Sequence, residues 1–236
     1  MKVSDTDTSE ERSGSMQQTA LVFDLDGTLV DSLPDLCAAL NEMLRGLARR
    51  ELSADEVRRM IGDGTHPLVG RALRATGEVV DLENPHQRFL DFYEAAPTRL
   101  SRLYPDVATT LRSLIGLGAR LAICTNKQQA ATLAVLDGFN IAEYFEVIVG
   151  GDVVPFRKPD PRHLLTALEQ LRASPGESVM IGDNENDHAA ARAAGTAVIL
   201  MRYGYLRVPP ETLAPDAWLD QFADIPPALD RINRER

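Results

Sequence analysis

Five short apolar runs, each stopping abruptly at a polar or acidic turn, constrain this 236-residue chain more than any other feature. Ala20-Leu21-Val22-Phe23 ends in Asp24-Leu25-Asp26-Gly27-Thr28, and Arg120-Leu121-Ala122-Ile123-Cys124 ends at Thr125-Asn126. Phe145-Glu146-Val147-Ile148-Val149 ends at Gly150-Gly151-Asp152, and Ser178-Val179-Met180-Ile181 at Gly182-Asp183-Asn184. Thr196-Ala197-Val198-Ile199-Leu200 ends near Arg202-Tyr203-Gly204. Apolar runs of this length bounded by turn residues read as buried strands. Between them lie helical spacings: Val107, Leu111, Leu114 and Leu117 behind a first-turn Pro105; Leu133, Leu136 and Phe139; Leu164, Leu165, Leu168 and Leu171; and the small-residue stretch Ala189 to Ala194. Strands alternating with helices predict a parallel sheet covered on both faces.

One interval breaks the rhythm. From about Leu33 to Leu103 there is no strand-like run, only helical spacings: Leu36, Leu40, Met43, Leu44 and Leu47; then Val57, Ile61, Leu68, Val69 and Leu73 around Gly62-Asp63-Gly64-Thr65; then Phe89, Phe92 and Tyr93. A helical insertion of this size is large enough to be a module or lid of its own. The polar, aperiodic start of the chain reads as a tail, without the apolar core of a secretory signal. Trp218, Leu219 and Phe222 read as a docking helix, and Tyr203 and Tyr205 as packing residues. No apolar run approaches the roughly 20 residues of a bilayer span. A net charge of −10 argues against nucleic acid, whose phosphates are bound by clustered Lys and Arg. Cys37 and Cys124 are the only cysteines, as expected of free thiols in a reducing compartment.

In an open parallel sheet, ligands bind at the carboxyl ends of the strands. The first strand delivers Asp24 and Asp26 there, the second Thr125 and Asn126, and the fourth Asp183, with Asp187 just behind it. Lys158 follows the third strand in Arg157-Lys158-Pro159-Asp160-Pro161. Carboxylates gathered this closely repel one another unless a cation sits among them. Oxygen ligands select Mg²⁺ or Ca²⁺ over zinc, and the four histidines are scattered. Carboxylate-held metal, a lysine and two small hydrogen-bonding side chains suit a phosphoryl group. Taken singly, each motif is an ordinary turn or helix cap; four in order beside four strands are not.

Asp24-Leu25-Asp26-Gly27-Thr28-Leu29-Val30-Asp31-Ser32 resembles the first signature of the haloacid dehalogenase superfamily of phosphohydrolases. Thr125-Asn126 resembles its second, Lys158-Pro159 its third and Gly182-Asp183-Asn184-Glu185-Asn186-Asp187 its fourth, so the likeness spans about Thr19 to Tyr205. It implies an α/β fold, a Rossmann-like parallel sheet core with an inserted α-helical cap domain. Residues 1–17 are then a disordered tail, 18–32 and 104–236 the core, and 33–103 the cap. The resemblance implies Asp24 as nucleophile, forming an aspartyl-phosphate, and Asp26 as acid and base. It implies Mg²⁺ held by Asp24, the Asp26 carbonyl and Asp183, with Asp187 orienting the site, and phosphate bound by Thr125, Asn126 and Lys158. The insertion resembles the cap of the phosphoglycolate phosphatase group, which makes Gly62, Asp63 and Gly64 candidate substrate contacts. Two positions depart from that pattern: Asn184, where serine or threonine is usual, and acidic Asp63 in a loop that faces an anion. The expected protein is a cytoplasmic monomer or homodimer acting on a small phosphorylated metabolite, 2-phosphoglycolate first. The alternatives are a phosphosugar phosphatase or mutase, a pyrophosphatase, and a non-enzymatic phosphoacceptor module; a dehalogenase would need neither Asp26 nor a metal.

Overall fold

Asp24 emerges from the central region of a six-stranded parallel sheet in the computed structural model of the chain, which describes residues 19–79 and 81–235. The tail expected over residues 1–17 lies outside the described residues. The strands in chain order are β1 (Ala20–Phe23), the two-residue β2 (Val30–Asp31) and β3 (Arg102–Leu103), β4 (Arg120–Cys124), β5 (Val147–Val149), β6 (Ser178–Gly182), β7 (Ala197–Met201) and β8 (Ala217–Leu219). The sheet runs β5-β4-β1-β6-β7-β8 with every pairing parallel. Side chains alternate between its faces with the period of two that a strand imposes. Leu21, Phe23, Leu121, Ile123, Val179 and Ile181 pack on one face, and Ala20, Val22, Ala122, Cys124 and Met180 on the other. Both sets are buried, so the strands are apolar throughout, as parallel strands covered on two sides must be.

The helices are α1 (Leu33–Arg45), α2 (Ala54–Arg58), α3 (Thr65–Thr76), α4 (Glu83–Glu94), α5 (Val107–Gly116), α6 (Gln129–Gly138), α7 (Pro161–Gln170), α8 (Glu185–Ala194) and α9 (Ile225–Glu235). The first four fall between β2 and β3 and share a core of their own, built on Leu40, Met43, Leu44, Val69, Leu73, Phe89 and Tyr93. The antiparallel pairing of β2 with β3 sets the entry and exit of this insertion side by side. Asp35 in α1 tightens that junction by accepting hydrogen bonds from the Leu100 and Ser101 amides and the Ser101 hydroxyl, the last at 2.6 Å.

Three expectations are corrected. Trp218 and Leu219 lie in β8, the parallel edge strand beside β7, and not in a docking helix. Three apolar residues are too few for a period to declare itself. Pro105 precedes α5, which begins at Val107 after Asp106 takes a left-handed φ of 62°. Tyr203 and Tyr205 do more than pack. Tyr203 donates to the Thr28 carbonyl at 2.8 Å, and the Tyr205 hydroxyl donates to Asp31 at 2.7 Å while accepting from the Leu33 amide at 3.0 Å. Tyr205 thereby fastens the start of α1 to the core, and its ring is counted in the insertion's hydrophobic cluster.

Candidate active site

Register brings the site together. Phe23 in β1 is level with Ile123 in β4 and Ile181 in β6, so three adjacent strands end almost together. Asp24 is the next residue of β1's chain, Thr125, Asn126 and Lys127 follow β4, and Asp183 follows β6. All six are buried. Gly27, between the two acids of the first turn and Asp183, has a φ of 88°, and a Cβ there would collide with the Asp183 carboxylate. The turn thus requires glycine both for its conformation and for the approach of Asp183.

Asp24, Asp183 and Asp187 present carboxylate oxygens that all lie within 4.8 Å of one another. Asp183 accepts from the Thr28 hydroxyl at 2.8 Å and from the Tyr205 amide at 2.7 Å. Asp187 closes the capping box of α8, accepting from the Asp183 and Asn184 amides. Asn184 supplies the other half of that box, its side chain accepting from the Asn186 amide at 2.9 Å. That is its visible role, and it accounts for an asparagine where serine or threonine is more usual. Lys158 lies 3.0 Å from Asp24 and 2.7 Å from Asp187.

The electrostatics follow from burial. Removal from water pushes the Asp24 carboxyl up to about 6, with Lys158 opposing the rise and Asp187 adding to it. Burial, then the charges of Asp187 and Asp24, hold the Asp183 carboxyl well above the usual range. Burial alone would lower the Lys158 ammonium, but Asp187 and Asp24 more than reverse it and keep it charged. Four acids, Asp24, Asp26, Asp183 and Asp187, thus stand against two ammonium groups, Lys127 and Lys158. The donors are hard oxygens, and the deficit is two positive charges. This cluster fits a divalent cation of the Mg²⁺ type.

The glycine-rich loop between α2 and α3 closes over this rim. The Gly62 carbonyl accepts from Asn126 at 2.9 Å and from Asn186 at 3.1 Å. Asn126 gives its other amide hydrogen to the Lys158 carbonyl at 2.8 Å, so its side-chain donors are fully engaged in holding loops together. Asp63 turns to Arg71, Arg207 and Asn186. Burial would raise its carboxyl, but these hydrogen bonds outweigh that effect and hold it well below the usual range. Gly62 and Gly64 line the cavity beneath the loop and Asp63 does not. The acid that seemed misplaced opposite an anion is a latch between insertion and core. Arg207 completes it by also binding Glu185 at 2.6 Å. Replacing Asp63 or Arg207 by Ala should each cost about 1–3 kcal/mol, the range for hydrogen bonds to charged groups. The double variant should lose clearly less than the sum in denaturant unfolding, whereas strict additivity would show that the two side chains are not coupled.

The roles of three other residues escaped the sequence analysis. Arg207 and Asn186 carry no local signal for the latch, because the Asp63 they share lies more than a hundred positions away. Lys127 stood one place beyond Thr125-Asn126. Its ammonium lies 3.0 and 3.2 Å from the two Asp26 oxygens and 4.5 Å from the centre of the Tyr93 ring.

Comparison with known proteins agrees with this geometry. The family model for haloacid dehalogenase-like hydrolases matches residues 21–201. A phosphoglycolate phosphatase of Caulobacter vibrioides is 40% identical over 211 residues, covering 88% of this chain and 89% of the relative. The crystal structure of a predicted phosphoglycolate phosphatase from Haemophilus somnus superposes with a TM-score of 0.86 at 32% identity, covering 91% of this chain and 98% of the other. That of CbbY from Rhodobacter sphaeroides in complex with phosphate gives 0.78 at 27% identity, with 89% and 98% covered. The chain belongs to the haloacid dehalogenase-like hydrolases and is phosphoglycolate phosphatase-like within them.

Proposed function

We propose that the chain hydrolyses 2-phosphoglycolate to glycolate and inorganic phosphate through an aspartyl-phosphate on Asp24. The observation that carries the reading is the contrast between the two acids of the first turn. Asp24 is buried against Lys158, whereas Asp26, two residues on, is paired with Lys127 at 3.0 Å, beside a cavity that both acids line. One is placed to attack and the other to move protons.

In the first step an Asp24 oxygen attacks phosphorus, the bond from phosphorus to the ester oxygen breaks, and Asp26, acting as general acid, gives a proton to that oxygen. In the second, Asp26 takes a proton from water, the water oxygen attacks phosphorus, and the bond to Asp24 breaks. Lys158 offsets the charge that nucleophile and phosphate would otherwise bring together. Thr125 supplies its hydroxyl to the phosphate. Asn126 supplies its main-chain N–H, which has no acceptor among the described residues, since its side-chain amide is engaged elsewhere. Asp24, Asp183 and the Asp26 carbonyl, positioned by Asp187, would hold Mg²⁺, which when bound would further neutralise phosphoryl charge. Residues 33–103 act as the cap. Gly62 and Gly64 bound the substrate through the latched loop, while Asp63 holds that loop in place.

The cavity favours a small ester. Its volume of about 30 Å³ holds only a few waters, so even a two-carbon ester needs the loop to shift and a larger one needs more. A phosphosugar requires the loop to open further. Among the described residues, no helix is long and apolar enough to cross a membrane, in keeping with a water-borne substrate. Phosphate release from 2-phosphoglycolate should be sustained and Mg²⁺-dependent. Its kcat/KM should exceed that for hexose and pentose phosphates and for pyrophosphate by at least about tenfold. Preference for a sugar phosphate would overturn the substrate assignment, and a single stoichiometric phosphorylation without turnover would favour the phosphoacceptor reading.

A further inference from the structure

The phosphoryl steps leave one buried cation unused. Lys127 is 4% exposed, at the end of β4, and burying an ammonium group is costly unless it is paired. Its partners among the described residues are the Asp26 carboxylate and the face of Tyr93, which reaches it from α4 in the insertion. Among the described residues, Lys127 is also the only basic side chain lining the cavity. The rest of the wall contributed by the insertion is Leu36, Ile61, Leu68, two glycines and Thr65, whose hydroxyl is already paired with His86 at 2.9 Å. Lys158 stands at the opposite pole, against Asp24 and Asp187, and does not line this space.

The cavity is therefore polarised. The phosphoryl pole has its own lysine, and so does the end where Asp26 meets the departing oxygen. A neutral alcohol gives this second ammonium nothing to do. We propose that Lys127 determines specificity by binding a carboxylate on the carbon next to the ester oxygen, sharing its hydrogens between that carboxylate and Asp26. This rests on the phosphomonoesterase reading above and deepens it. The proton carrier and the carboxylate binder are side by side, so only an acid with its carboxylate one carbon from the ester oxygen reaches Lys127 while that oxygen faces Asp26. Tyr93 makes the selection depend on closure, because its ring reaches Lys127 from the insertion.

The test compares 2-phosphoglycolate with ethyl phosphate, which has the same carbon count but no carboxylate, in the wild type and in Lys127→Met, Lys127→Gln and Lys127→Arg. Loss of Asp26's partner falls on both esters alike and cancels in the ratio of their kcat/KM values. The wild type should prefer 2-phosphoglycolate by about 100-fold or more, Lys127→Met and Lys127→Gln should each shrink that preference by at least about tenfold, and Lys127→Arg should retain part of it. Two neutral replacements of different polarity guard against one that fails to fold. A wild type that hydrolyses neither ester sinks the phosphatase reading and this inference together. A wild type that strongly prefers 2-phosphoglycolate, with the preference intact in both neutral variants, overturns the role of Lys127 alone.

Discussion

Asp24→Asn should abolish the acid-stable phosphoenzyme and lower kcat by about 10⁴-fold or more, the scale on which loss of a covalent nucleophile is felt. The same variant should be more stable, not less. Burial raises the Asp24 carboxyl from 3.8 to about 6, which means the folded protein disfavours its charged form. At neutral pH that charge is present and costs folding free energy on the order of 3 kcal/mol, at about 1.4 kcal/mol per unit. Asparagine keeps the shape and removes the charge. The ion pair with Lys158 is lost as well, but its pull is already included in the net rise, and Lys158 retains Asp187 at 2.7 Å. Rapid acid quench with phosphate-labelled substrate, alongside thermal unfolding without added metal, separates the two effects. Near-normal turnover would remove Asp24 as nucleophile. Lost turnover with lowered stability would show instead that the ion pair, and not the buried charge, dominates there.

This pairing of weakness and function explains which parts of the molecule a reader of the sequence can anticipate. Ala20 to Phe23 announce a strand because period-two burial on both sheet faces leaves a continuous apolar run, and the acid that ends it falls at the carboxyl edge by topology alone. Asp24, Thr125, Asp183 and Asp187 were legible for that reason. What register and tertiary contact decide was not. Asp63 looked hostile to an anionic ligand until Arg71, Arg207 and Asn186 were seen to claim it. Asn126 was read as a donor to the ligand, yet its amide bridges Gly62 and Lys158. Lys127 has no sequence pattern that separates it from a surface lysine, since both its partners come from other elements. Tyr205 likewise joins three chain segments through one hydroxyl and one ring.

Mg²⁺ and protons should compete for the same carboxylates, and the competition should be visible in stability. Without metal, the Asp24 and Asp183 carboxyls hold protons more tightly in the folded chain than in the unfolded one, because burial raises both. The folded state therefore binds more protons, and by linkage stability falls as pH rises from the unfolded value near 4 through about 6, the point reached by Asp24. The stabilisation present below pH 4 is gone above 6, where Asp24, Asp183 and Asp187 repel one another with only Lys158 among them. A divalent ion relieves that repulsion, so its effect should be largest where the protons have left. At pH 7.5, Mg²⁺ at about 100 times its Kd should add about 2.7 kcal/mol, or about 5–10 °C in Tm for a protein of this size. At pH 5 the same concentration should give less than half of that, and chelation at pH 7.5 should abolish turnover. Thermal unfolding with Mg²⁺ or chelator at the two pH values makes the comparison. A Tm increment that does not depend on pH would mean that the ion binds away from Asp24 and Asp183.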